Sequence, residues 1–221
     1  MQRKNHHRPA AMAGALLLAG LLVLPTAGLA QLGGVLPPPP LPTPTAGAST
    51  VTGQATAAQV VLLGLLGTAT STSLASTGIS GTNAESDVAQ LAGSIPSLLG
   101  AEVLNATTYS YPDQVDSTAS LANLGLSVAG ITISADSVVA QASQVLGAAG
   151  SGSSYIDNLA INGVPISVSG DPNQTISIPG GQVVLNEQTI SSTGSAVVNA
   201  IHVTVNGVAD VVIASATAGI S

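Results

Sequence analysis

The chain has no Cys, no Phe and no Trp, and its only Lys and Arg residues are Arg3, Lys4 and Arg8. Without Cys there is no disulfide framework, no lipid-bearing cysteine, no thiolate metal site and no thiol nucleophile. Beyond residue 8 no Lys or Arg remains to grip a phosphate, a nucleotide or a nucleic acid. The aromatics are limited to Tyr109, Tyr111 and Tyr155. A core made without Phe or Trp has to be Val, Ile, Leu and Ala. Such a core suits thin sheet-on-sheet packing better than a deep pocket.

What is present is acid. All ten Asp and Glu fall after position 80, so the formal net charge of −7 understates the acidity of the chain that follows the first eight residues. His202 is the one base in that stretch.

Residues 1–30 read as a secretory signal peptide. Arg3, Lys4 and Arg8 form a basic start, an apolar run extends from Ala10 to Leu24, and small residues Gly28 and Ala30 precede a cleavage point before Gln31. The apolar run is shorter than a typical spanning helix, and no later stretch is long and apolar enough to cross a membrane. Residues 31–49, with Pro37-Pro38-Pro39-Pro40 and then Pro42 and Pro44, read as a semi-rigid polyproline linker. Residues 50–221 are expected to form a single all-β domain, secreted and extracellular or loosely associated with the cell surface.

Hairpins are legible by alternation around Gly turns. Leu159 and Ile161 lead to Asn162-Gly163 and then to Val164 and Ile166. Asn-Gly between alternating apolar runs marks a tight hairpin, because both turn residues need positive φ. Pairing Ile161 with Val164 and Leu159 with Ile166 puts all four on one face. By the same logic Leu124, Leu126 and Val128 join Ile131 and Ile133 through Ala129-Gly130. Ile201, Val203 and Val205 join Val211 and Ile213 around Asn206-Gly207. The stretches from Asn123 to Ala142 and from Asn199 to Ala216 resemble each other weakly, which suggests a pseudo-symmetric sheet.

One segment reads as a short helix. Thr82-x-x-Glu85 resembles a capping box, Val88, Leu91, Ala92 and Ile95 follow at helical spacing, and Gly93 is a candidate stop. Asp136 to Leu146 fits either period, and the internal likeness favours a strand for its first half. The fold class expected is therefore all-β: an antiparallel two-sheet sandwich of hairpins with one short helix, a β-solenoid being the alternative.

Three blocks carry a resemblance. Val184-Leu185-Asn186-Glu187-Gln188, Val198-Asn199-Ala200-Ile201-His202-Val203 and Asp210-Val211-Val212-Ile213-Ala214-Ser215 resemble the choice-of-anchor P family of bacterial secreted proteins. Ala122-Asn123-Leu124 through Ala140 resembles an earlier block of that family. The likeness spans residues 50–221 and is strongest after 155. It implies an exported scaffold with no established biochemical activity, in many members held by a C-terminal surface anchor. This chain departs from that pattern at Ala218-Gly219-Ile220-Ser221, which carries no sorting motif, apolar anchor or basic tail. The further His that family members carry after the Ala-Ser strand is replaced here by Ala216-Thr217-Ala218, which argues against a shared two-histidine site.

Few residues can do chemistry. His202 alternates out of phase with Ile201, Val203 and Val205, so it is expected to face away from the core. A three-residue bulged turn would pair Asp210 with Thr204, diagonal to His202. The pair could serve a nucleophilic Ser, but no Gly-x-Ser-x-Gly elbow singles one out, and a surface charge pair is the plainer reading. Carboxylates without cationic neighbours must be solvated, protonated or bound to a hard cation. Asp113 and Asp116, with the turn acid Asp171, are the candidate calcium ligands, although none lies in an EF-hand or a repeated aspartate pattern. The function expected is a non-enzymatic secreted or surface structural protein, with an adhesion or ligand-binding module, calcium-assisted or not, as the alternative and a hydrolase last. Expected partners are the cell envelope, extracellular matrix or further copies of the chain, and no nucleotide or nucleic acid.

Overall fold

The computed structural model describes residues 50–64, 68–192 and 194–221. The expected signal peptide (1–30) and proline-rich linker (31–49) lie outside the described residues. The chain runs through β1 (Val51–Leu63), β2 (Ala69–Ser76), β3 (Ala84–Ile95), β4 (Leu99–Ser110), β5 (Gln114–Val128) and β6 (Ile131–Val145). It continues through β7 (Ser151–Asp157), β8 (Ala160–Ile161), β9 (Val164–Pro165), β10 (Gln174–Ile178) and β11 (Gly181–Ile190). It ends in β12 (Ser195–Val205) and β13 (Ala209–Ile220).

These strands build two antiparallel sheets that share one core. The first sheet has the order β10-β11-β12-β13-β1-β2; the second has β3-β4-β5-β6-β8-β9, with β7 also paired to β6. The chain starts in the first sheet, builds the whole of the second, and returns to place β13 beside β1. Antiparallel hairpins stacked as two layers make a sandwich, and the solenoid alternative falls. The core is aliphatic as expected: Leu104, Leu121, Ile133, Leu185, Ile201 and Ile213 are its largest fully buried apolar side chains. All three Tyr side chains are exposed. Alanine and glycine keep the layers close. Ala55, Ala58, Ala214, Ala216 and Ala218 are fully buried, and a Cβ on Gly152 of β7 would collide with Val198 Cγ2 of β12 in the facing sheet.

One side of the sandwich is joined by hydroxyls. Thr77 Oγ1 bonds Thr108 Oγ1 (3.3 Å), Thr108 Oγ1 bonds Ser117 Oγ (3.2 Å), and Ser117 Oγ donates to the Thr217 carbonyl in the other sheet (2.7 Å). Ser80 and Ser110 share a second such bond at 2.8 Å. Burial costs these groups little because each finds a partner.

The hairpins around Gly130 and Gly207 form as read. Leu126 pairs Ile133 and Val128 pairs Ile131, while Ile201 pairs Ile213 and Val203 pairs Val211, all buried. The Asn162-Gly163 turn also forms, with Ile161 opposite Val164. Its four apolar residues do not all reach the core: Leu159 and Ile161 are buried, but Val164 is 60% exposed because β9 is the outermost strand of its sheet.

The helix does not form. Residues 84–95 are β3, Thr82 and Asn83 sit in the preceding turn, and Gly93 lies mid-strand against Leu104 and Leu74. The second half of 136–146 is also strand, through Val145. The helical spacing read over β3 comes from its break at Leu91, whose exposed side chain completes the spacing between Val88 and Ile95. Each long strand carries a single break in its in–out alternation, so that buried residues recur three apart: Ala55 and Ala58, Leu121 and Leu124, Ala135 and Val138, Val198 and Ile201. A three-residue gap inside a strand imitates helical spacing.

The breaks line up across each sheet. In the first they fall at Asn186, Ala200, Ala214, Ala57 and Ala75, the positions skipped between flanking registered pairs. In the second they fall at Leu91, Val103, Asn123, Asp136 and Asn158. Backbone geometry marks the same rows, with φ of +50° at Asn186, +51° at Ala214, +45° at Ala75, +48° at Val103, +49° at Asn123 and +51° at Asn158. Asn tolerates this left-handed conformation, whereas Ala and Val adopt it at a cost of about 1–2 kcal/mol each. A whole row, rather than an isolated bulge, shifts the pleat by one residue, and neighbouring strands keep the same register on either side of it, with a local irregularity between β4 and β5 from Gly100 to Asn105.

Candidate functional site

Three strands position His202, the one histidine among the described residues. His202 on β12 faces outward opposite Val184 of β11 and Val212 of β13. The turn at Asn206-Gly207-Val208 pairs Thr204 with Asp210, as the sequence indicated, and Asp210 Oδ2 reaches His202 Nε2 at 3.1 Å. From the other side Glu187 Oε2 reaches His202 Nδ1 at 2.8 Å. Asn199 Nδ2 donates to the same Glu187 oxygen at 2.7 Å. The imidazole is thus clamped between two carboxylates, with about a fifth of its side chain exposed.

Burial alone would push the His202 pKa down. The hydrogen bond to Asp210 and the charge of Glu187, followed by the charge of Asp210, outweigh that effect and the net shift is upward. Protonated, the ring donates to a carboxylate on each side. Neither nitrogen is then left to take a proton from a serine, and the carboxylates sit at opposite edges of the ring rather than around a common point.

Glu187 was not legible. Counting strict alternation from Val184, which faces outward, Glu187 would point into the core. The row break at Asn186 turns it out beside His202. In the structure the break shows as two successive buried residues, Leu185 and Asn186.

Four of the eight remaining acids take neutral donors in place of the missing cations. Asn123 Nδ2 donates to Glu102 (2.8 Å), Asn158 Nδ2 to Asp136 (2.7 Å) and Gln114 Nε2 to Asp116 (2.6 Å). Asn105 and Thr107 both donate to Asp87. Two of these pairs lie on the dislocation row of the second sheet, where Asn serves both the left-handed backbone and the carboxylate.

The calcium candidates are placed separately. Asp113 lies in the turn between β4 and β5, where its carbonyl accepts the Leu146 N–H at 2.9 Å. Asp116 lies on β5 opposite Tyr109. Asp171 lies in the turn before β10, its N–H donating to Ser169 Oγ. Among the described residues no three His, Asp or Glu side chains are grouped to hold a metal ion.

Three concavities lie on the second sheet, one of them a depression of about 370 Å³ beside Leu159 and Pro165. A trough of about 700 Å³ runs over Gly100 and Gly125, between the turn at Pro96-Ser97 and that at Gly163. A smaller depression of about 420 Å³ is lined by Asp116, Thr118, Gln141, Ser143 and Ser153. His202 lines none of the three. No family model, curated protein or solved structure matches this chain.

Proposed function

We propose that this chain is a non-enzymatic extracellular structural module, secreted or held loosely at the cell surface, akin to the choice-of-anchor P proteins. The observation that carries this reading is how the reactive groups are used. Among the described residues the sole base is committed to two carboxylates, and five further interactions tie four other acids to amides or hydroxyls within the second sheet. Catalysis by general acid–base or nucleophilic chemistry needs such groups converging on a substrate-sized space. Here they stitch strands together instead.

The test is co-sedimentation of the purified chain with cell envelopes, with and without a calcium chelator, alongside assays on ester and glycan substrates. Attachment without turnover is the expected result, as is a freely secreted chain without turnover. Turnover abolished by His202→Ala or by one carboxylate change would overturn the reading.

A second reading is an adhesion or ligand-binding module. The polar depression beside Asp116, with Tyr109 40% exposed on the strand alongside, favours it. Attachment that the chelator releases would support a calcium-assisted form of this reading and direct attention to Asp113, Asp116 and Asp171.

A further inference from the structure

Strand β3 ends its sheet, and among the described residues no strand lies beyond it. It runs from Ala84 to Ile95 without Pro, and its charged residues, Glu85 and Asp87, are confined to its first half, so that the half from Gln90 to Ile95 lacks the features that ordinarily blunt an edge. At its centre Leu91 is 84% exposed, beside Val103 of β4 at 59%. Both lie on the dislocation row, between the registered pairs Gln90–Leu104 and Ala92–Glu102. Among the described residues nothing covers these two large apolar side chains, one on the edge strand and one on the strand beside it.

We propose that β3 pairs antiparallel with β3 of a second copy, about a two-fold axis through Leu91. The inference rests on the structural-module reading and deepens it by naming the edge, the partner and the register.

Three observations point to this occupant. The dislocation row constrains any added strand: a partner lacking a break at that height would fall one residue out of phase on one side of the row, turning its side chains to the wrong face. A second β3 carries its own break at Leu91, and only the register that sets Leu91 against Leu91 aligns the two breaks. That register also separates charge. Gln90 through Ile95 are neutral, and in this register Asp87 of each copy falls opposite Ile95 of the other while Glu85 lies past the end of the other strand. Finally, a two-fold axis normal to the sheet keeps both outer faces on one side, so Leu91 and Val103 of the two copies form one apolar cluster. The arrangement closes on itself, because the opposite edge of the sheet ends in the two-residue β9 with Pro165.

The natural absence of Cys makes the register directly measurable. The full-length chain, expressed from residue 1 and recovered as the host processes it, is examined by sedimentation velocity at about 0.15 M salt. Single variants Leu91→Cys and Glu85→Cys are then oxidised. Paired strands bring opposed Cα atoms to about 4.5–5.5 Å, within disulfide reach. The two copies of residue 85 would stand about 40 Å apart. The expected result is a dimer that cross-links at 91 at least tenfold faster than at 85 and becomes monomeric in Leu91→Glu with an unchanged far-ultraviolet spectrum. A monomer at all concentrations, equal cross-linking at both positions, or a dimer indifferent to Leu91→Glu would each overturn the proposal. A dimer formed elsewhere would refute this edge and leave the structural reading standing, whereas substrate turnover would refute that reading whatever the association state.

Discussion

Glu187 Oε2 lies 2.8 Å from His202 Nδ1, on a neighbouring strand whose strict alternation would have turned Glu187 into the core. This contact, with Asp210 on the far side of the ring, raises the His202 pKa above its ordinary 6.5. A base held more strongly protonated in the folded state stabilises the fold. The contribution is fully present below the unfolded pKa and is lost as pH rises through the folded one. Thermal melts should therefore show stability falling as pH rises above about 6.5 and through the raised pKa of His202. His202→Gln should melt lower at the acid end and show little slope. A wild-type curve that is flat over this range, or a variant that keeps the slope, would contradict the clamp.

The dislocation row predicts opposite effects for one substitution at adjacent positions. Ala214 and Ala200 are both fully buried neighbours in the row, but only Ala214 has positive φ, at +51°. Glycine carries no Cβ penalty there, so Ala214→Gly should be neutral or stabilising by up to about 1 kcal/mol. Ala200→Gly gains no such relief and should destabilise by about 1 kcal/mol through backbone entropy and lost packing. Urea midpoints at constant m-value decide the matter. Equal losses at both positions would mean that the row is not strained at Ala214.

The same row separates what could be read in the sequence from what could not. Leu124 to Ile133 and Ile201 to Ile213 were legible because each hairpin arm lies wholly on one side of a break, where period-two alternation and a Gly turn act together. Strand β3 was not, because its break at Leu91 falls mid-strand. Val88 and Ile95 pack against the core, yet Leu91, which completes the helical spacing, is exposed. His202 and Asp210 share an uninterrupted hairpin, so their pairing followed from counting. Glu187 sits just past Asn186, and its approach to His202 depends on a backbone conformation that Asn permits without requiring. The acid–amide pairs at Asp87, Glu102 and Asp136 were illegible for a further reason: they join segments whose relative register alternation alone does not set.

Sheet separation gives a third prediction. Gly152 of β7 lies directly against Val198 of β12, and an added methyl would overlap Val198 Cγ2. Gly152→Ala should destabilise by about 1–3 kcal/mol through overpacking. Val198→Ala should destabilise by removing a fully buried side chain. The double variant should lose less than the sum of the two, because the new methyl occupies the space the valine vacates. Strict additivity in a double-mutant cycle would show that the two residues do not touch across the sandwich.

Salt should act on this chain in an unusual direction. In a protein with mixed charges added salt screens attraction and repulsion alike, and the net effect on stability is small or of either sign. Here the described residues contain no Lys or Arg, so apart from the clamp at His202 every interaction between side-chain charges is repulsive. Screening then relieves self-repulsion of the compact state. Raising sodium chloride from about 0.01 M to about 0.5 M shortens the screening length from about 30 Å to a few ångströms. The melting temperature should rise, by about 2–4 °C for each kcal/mol of repulsion removed in a domain of this size. The rise should be larger in His202→Gln, where no attractive pair remains to be screened. A melting temperature that falls with salt would mean that attraction at the clamp outweighs repulsion among the acids, or that the carboxylates hold a cation which sodium displaces.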